Sequence, residues 1–356
     1  MSFSFGFGGD DIEGAEQPQA PQQDPAPARA SAFPVAGKPL LPAIHHDLSH
    51  MLATLPSKLV YGLLEVDLDG TGSVHLPRRE LWDVRVQLMA EDDSEAALES
   101  GLGTHDVKTG VYEGGFKSWE SSVDLVKTLA TSKSFVATTE HRARIIELGC
   151  GTALPSLALF QWACSLRTGD ENSEFSIYLA DYNPSVLQLV TLPNFLLSWA
   201  LSERANSPLV EAALASEEGA LELSAEVLTA FQDFLQGRKI TLDFFSGGWS
   251  DDFVKLVSDG DASSAAKCDT IILGAETIYS PFALDSFTHT IFTMMGNEKD
   301  RGNSAEALVG AKRLYFGVGG SLDDFVAKSR DLGATVDQVR EETEGVRRGV
   351  VRVKLP

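Results

Sequence analysis

The chain has 356 residues, 43% of them hydrophobic, and 51 acidic against 29 basic side chains give it a formal charge of −22. That length and apolar content suit one large folded domain with appendages. The charge argues against nucleic-acid or anionic-membrane binding, because phosphate contacts need clustered Lys and Arg; a basic protein partner would instead be steered toward such a surface.

The opening MSFSFGFGGDD lacks the basic and long hydrophobic regions of a signal peptide, and no run of eighteen apolar residues follows, so an intracellular setting is expected. From about Gly6 to Pro42 the composition is rich in Pro, Ala, Gln and Asp, as in AEQPQAPQQDPAPARA, and buries too little apolar surface to fold alone. Residues 1–44 are therefore expected to form a disordered tail. At its front Phe3, Phe5 and Phe7 alternate with Ser and Gly, a pattern that suits a docking strand or a solvated segment equally well. Residues 45–111 read as an extension packed on the main domain, with Leu81, Val84, Leu88 and Met89 at helical spacing and EDDSEAALESGLGTHD as a charged connection.

Residues 112–356 alternate strand and helix patterns. ARIIELG is a short apolar strand running into a Gly-rich turn, and ALPSLALFQWAC continues as a helix. EFSIYLAD, KITLDFF, KCDTIILGAE and EALVGAK follow as further strands, with an insertion around Ser202 to Gly219. Asn183 and Pro184 are placed to open the helix after the second strand, and Ser121 or Ser122 the helix through Leu125 and Val126. TVDQVREE and GVRRGVVRVKL end the chain as an antiparallel pair at a sheet edge. The whole predicts an α/β fold, a doubly wound, mostly parallel sheet of about seven strands with an antiparallel strand near one edge.

Three stretches carry chemistry. IIELGCGTALPSL puts Gly149 and Gly151 after the first strand, where a ligand approaches the backbone and a helix N-terminus. The third dinucleotide glycine is absent, since Leu154 stands in its place, and Glu147 precedes the glycines. A carboxylate there suits a cofactor bearing a sulfonium and an amino group better than a pyrophosphate, which points to S-adenosylmethionine rather than NAD. Asp181, closing the second strand, is placed to accept hydrogen bonds from ribose hydroxyls. Trp119 upstream suits a core position by residue type alone, and Trp249 in FFSGGWSDDF is placed to flank an adenine ring. No CxxC pair joins Cys150, Cys164 and Cys268, and the histidines lack metal-like spacing, so neither a disulfide framework nor a metal is expected.

The set YEGGFKSWE, ELGCGTALPS, DYNPSVL, GGWSDDF, GAETIY and YFGVGGS resembles the eukaryotic protein-histidine N-methyltransferases of the seven-β-strand class, and MSFSFGF is similar to that family's N-terminus. ELGCGTALP alone marks a wider group that includes lysine methyltransferases; YEGGFKSWE, GAETIY and YFGVGGS select the histidine branch. The resemblance implies a Rossmann-like seven-stranded methyltransferase sheet. It also implies cofactor contacts from Trp119, Glu120, Ser121 and Ser122, from Gly149, from Asp181, Tyr182 and Asn183, and from Gly248 and Trp249. Glu147, Gly151 and Gly274 complete the expected cofactor set. It implies as substrate a histidine of a basic large-subunit ribosomal protein, with cytoplasmic and nuclear localisation, and a monomer is expected. In LGAETIYSP the fourth strand ends facing the methyl group, so Glu276 or a backbone carbonyl near it is expected to orient the acceptor ring, with Tyr279 shaping the pocket or donating a hydrogen bond. A lysine methyltransferase of the same class, and a non-catalytic ribosome-assembly chaperone that kept the fold, are the alternatives.

Overall fold

The computed structural model describes residues 39–90, 107–108, 112–113, 115–137, 142–167, 174–259, 267–315 and 320–356. The Phe-bearing front and most of the Pro-rich tail lie outside these residues, as does the whole of the charged connection after the helix Leu81–Ala90.

In chain order the strands are β1 (Ile44–His46), β2 (Lys58–Asp67), β3 (Ser73–Arg79), β4 (Val107–Lys108), β5 (Tyr112–Glu113), β6 (Arg142–Leu148) and β7 (Phe175–Asp181). They continue with β8 (Ala220–Glu222), β9 (Ile240–Ser246), β10 (Cys268–Ala275), β11 (Ser304–Lys312), β12 (Thr335–Glu342) and β13 (Arg348–Lys354). The main sheet has the order β1-β9-β7-β6-β10-β11-β13-β12. Its five middle strands run parallel, and β13 runs antiparallel to both β11 and β12. These are the seven strands expected, in the expected Rossmann-like arrangement. The eighth, β1, was not anticipated; it adds antiparallel to β9 from within the segment assigned to tail and extension.

Both faces of the parallel strands are covered, so β7 is buried at every position and β6 at all but its first, polar residues included. Neighbouring residues serve opposite cores: Ile145 packs with Leu157, Phe195 and Trp199, and Ile146 with Ile272, Phe287 and Phe325. The helix Pro184–Glu203 is long and apolar enough to span a membrane by composition, yet it lies mostly buried in the first of these cores.

The extension and the later insertion fold together. β2 pairs with β3 on one side and with β8, beside the insertion, on the other. Hydrogen bonding between segments some 160 residues apart is not local information, so the sequence offered no sign of it.

Candidate functional site

The parallel register brings the carboxyl ends of β6, β7 and β10 to one edge, where the loops part around a cleft that opens to solvent. Its floor is the turn after β6. Gly149 and Gly151 have φ of 64° and 52°, and Ala153, also left-handed at 55°, precedes the helix Leu154–Leu166. Neither glycine tolerates a side chain, because a Cβ on Gly149 would stand 2.9 Å from Thr277 and one on Gly151 3.0 Å from the carbonyl of Gly115.

Two carboxylates frame this turn. One oxygen of Glu147 accepts the N–H of Ser156, in the first turn of the following helix, at 3.0 Å, and burial pushes its pKa up to about 7 against the pull of that bond. Asp181 accepts the N–H of Gly151 at 3.0 Å through one oxygen and that of Asn183 at 3.1 Å through the other, and burial raises it to about 6. Each oxygen that accepts one bond here retains a lone pair for a ligand. Trp119, Tyr182, Trp249 and Phe282 supply apolar wall.

At the far end of the cleft Glu276 leaves β10 in a left-handed conformation, φ 57°, while its N–H still reaches the carbonyl of Gly310 at 2.9 Å. A non-glycine residue held there is strained, which is common where a side chain must be aimed. One carboxylate oxygen accepts the hydroxyl of Ser121 and the other that of Tyr315. Burial raises the Glu276 pKa, opposed by those two hydroxyls and by Lys312. Burial, and then the adjoining carboxylate, raise Tyr315 well above the usual phenol range. The ammonium of Lys312 lies over the Trp119 ring, 5.1 Å from its centroid, and 5.7 Å from that of Tyr315.

Of the residues expected from sequence, Trp119, Ser122, Glu147, Gly149, Gly151, Asp181, Tyr182, Asn183, Trp249, Glu276 and Tyr279 line this one cleft. Four are placed elsewhere. Glu120 is exposed on its helix, and Ser121 stands behind Glu276 as its hydrogen-bond donor. Gly274 sits within β10, where a Cβ would be 2.5 Å from Phe287, and Gly248 lies under Leu40. Two expected helix caps also differ. Trp119 occupies the cap position of the helix Glu120–Leu129 without a side-chain bond, because the serines are engaged elsewhere, and Asn183 occupies its cap without using its amide.

Sequence reasoning missed Leu40, Gly247, Thr277 and Phe282 in the lining, and Tyr315 and Lys312 behind it. Gly247, Thr277 and Tyr315 lie inside motifs already noted and Phe282 adjoins one, whereas Leu40 and Lys312 carried no local signal. Thr277 is 4% exposed and its hydroxyl has no partner within the protein. A cleft with two buried carboxylates, aromatic walls, an open helix N-terminus and one unsatisfied hydroxyl fits a nucleoside joined to a cationic amino acid.

No protein-family model matches the chain. It is 33% identical over 316 residues to histidine protein methyltransferase 1 of Schizosaccharomyces pombe, an alignment covering 87% of this chain and 84% of that one. It is 35% identical over 267 residues to the protein of the same name from Saccharomyces cerevisiae, covering 71% and 68%. A homologue of that name from Bos taurus is 28% identical over 324 residues, covering 87% and 74%.

Proposed function

We propose that this chain, which belongs to the histidine protein methyltransferases, takes its methyl group from S-adenosylmethionine and transfers it to an imidazole nitrogen of a basic large-subunit ribosomal protein. The observation that carries the histidine acceptor is the likeness to two yeast histidine protein methyltransferases across most of both chains. The net charge of −22 supports a basic protein as the acceptor's carrier.

When bound, the cofactor supplies a methyl group on a positively charged sulfur. The turn Gly149–Gly151 gives it backbone, Asp181 offers acceptor lone pairs for hydroxyls, and Glu147 offers a compensating negative charge. An imidazole with a pKa of about 6.5 is mostly neutral near pH 7, so its attacking lone pair is free without a strong base. What the protein must add is orientation and a destination for the proton that remains after transfer.

Glu276 suits both duties. With each oxygen held by one hydroxyl, its remaining lone pairs accept the N–H of the non-reacting imidazole nitrogen and so fix the tautomer. Burial raises its proton affinity above that of an exposed carboxylate, which brings it closer to that of the methylated ring it must relieve of a proton. Tyr279 forms the adjoining wall of the cleft. A protein acting on ribosomal proteins would work in the cytoplasm and nucleus.

The test is tritium transfer from labelled S-adenosylmethionine to ribosomal proteins of cells lacking this enzyme, followed by amino-acid analysis of the labelled band. Methylhistidine in a large-subunit protein is the expected result. Methyllysine would overturn the acceptor chemistry, and methylhistidine confined to non-ribosomal proteins would overturn the substrate.

A further inference from the structure

The pair Gly247–Gly248 reads in the sequence as part of a ligand loop, but the structure gives its two glycines a different duty. The chain's own N-terminal segment passes over them. A Cβ on Gly247 would lie 2.2 Å from the carbonyl oxygen of Pro42, and one on Gly248 2.7 Å from the Cβ of Leu40. Neither position admits a side chain while the segment is in place.

Backbone bonds hold the segment at this spot. The N–H of Gly248 donates to the carbonyl of Leu41 at 3.0 Å, and the N–H of Leu41 donates to the Tyr182 hydroxyl at 3.1 Å. From Ile44 the chain continues as β1, with Ile44 opposite Ser246 on β9. The anchoring therefore depends on backbone groups and on the two glycines, which is why the Pro-rich composition around it gave no sign of order. Its result is that Leu40, half-buried, joins Tyr182, Gly247 and Trp249 in lining the cleft.

We propose that Leu40 is a cofactor-contacting residue and that Leu41 and Pro42, seated on Gly247 and Gly248, position it, so that the N-terminal segment forms one wall of the cofactor site. The inference rests on the reading of the cleft as an S-adenosylmethionine site. Asp181 marks the ribose position at the end of β7; Leu40 and Gly247 lie beyond it, toward β9, where the sheet order places the nucleobase, while the Trp249 ring reaches back toward Gly149 and Phe287. An aliphatic side chain lining the same cleft as the Tyr182 ring supplies the apolar surface a purine requires.

The experiment uses the full chain and its Leu40→Ala and Gly248→Ala variants. Calorimetry measures the Kd of each for S-adenosylmethionine, S-adenosylhomocysteine and 5′-methylthioadenosine, the last carrying the nucleoside without the amino acid. The expected result is a loss of about tenfold for all three ligands with Leu40→Ala, from the lost leucine contact, and a similar loss with Gly248→Ala, whose methyl group displaces Leu40. Hydrogen exchange at the Leu41 and Gly248 amides is expected to slow when S-adenosylhomocysteine binds, a readout that holds even if one variant folds poorly. If the wild-type protein binds its ligands and both variants match it within about twofold, with exchange at these amides unchanged, the proposal is overturned and the cofactor reading stands. If the wild-type protein binds none of the three, the cofactor reading falls and the proposal with it.

Discussion

Glu276 is the residue on which the chemistry of the cleft turns, and its environment is assembled from three separate elements. Ser121 comes from the helix Glu120–Leu129, Tyr315 from the loop after β11, and Glu276 itself from the end of β10. The backbone N–H of Lys312 also reaches the Tyr315 oxygen, at 3.4 Å, so the phenol proton is free to point at the carboxylate. The charged and titratable groups facing Glu276 are Lys312 on β11, Glu120 on the helix, and Tyr315, with Tyr279 near Tyr315. Replacing Tyr315 by Phe removes one donor to a carboxylate, a bond worth roughly 1.5 to 3 kcal/mol. The expected consequence is a drop in kcat of about ten- to a hundredfold with cofactor affinity nearly unchanged. Because the lost donor favoured the ionised form, the carboxyl pKa rises further, and the acidic limb of the kcat profile moves to higher pH for the same acceptor. Steady-state kinetics across pH checks both effects, and an unmoved limb would mean that Tyr315 only supports the fold. Glu276 was legible in LGAETIYSP because a carboxylate closing a buried strand is costly unless it is used or paired. Its partners were not legible, since they stand 155 and 39 residues away along the chain.

At the scale of elements, the cofactor turn leans on parts of the chain that are remote in sequence. The helix Pro184–Glu203 contains a π-helical stretch, Leu187–Thr191, from which the Thr191 hydroxyl reaches the carbonyl of Gly151 at 2.6 Å. One turn on, Asn194 donates to the carbonyl of Thr152 at 3.0 Å and accepts the N–H of Arg79, on β3, at 2.8 Å. One fully buried amide thus joins the glycine turn to the N-terminal hairpin. The variant Asn194→Ala removes both of these buried hydrogen bonds, and is expected to lose about 2 to 4 kcal/mol of stability. Because the turn loses its support, the Kd for S-adenosylhomocysteine is also expected to rise several-fold. Chemical denaturation and calorimetry check the two parts, and a stability loss with unchanged affinity would show that the turn stands without the extension. Strands and helices in this region were readable from apolar runs and Gly or Pro punctuation. The caps were less so, because Ser121, Ser122 and Asn183 had the right side chains for a role that tertiary contacts left unused.

For the molecule as a whole, the excess of acidic residues and the two buried carboxylates act in the same direction with pH. Glu147 has its pKa raised from 4.5 to about 7 and Asp181 from 3.8 to about 6. A raised carboxyl pKa means that the folded state holds the proton more tightly than the unfolded chain does. Its stabilising contribution is therefore fully present below about pH 4 and is lost as pH rises through 6 and 7. Stability of the ligand-free protein is expected to fall across that window. Glu147→Gln, which keeps an acceptor for Ser156, should flatten the fall by an amount on the order of 3 kcal/mol. Denaturant titrations of both proteins at several pH values between 5 and 8 measure it, and parallel curves would place the pH dependence elsewhere. The sequence by itself determined the strands of the main parallel sheet, their stacking and half of the residues of the cleft, because buried parallel strands demand largely apolar runs and a ligand turn demands glycines at fixed places. Only the tertiary structure decided that Leu40 reaches the cleft, that the insertion and extension share a sheet, and that Tyr315 and Ser121 hold Glu276. Those are contacts between distant segments, formed by backbone hydrogen bonds and buried hydroxyls that leave no periodic trace along the chain.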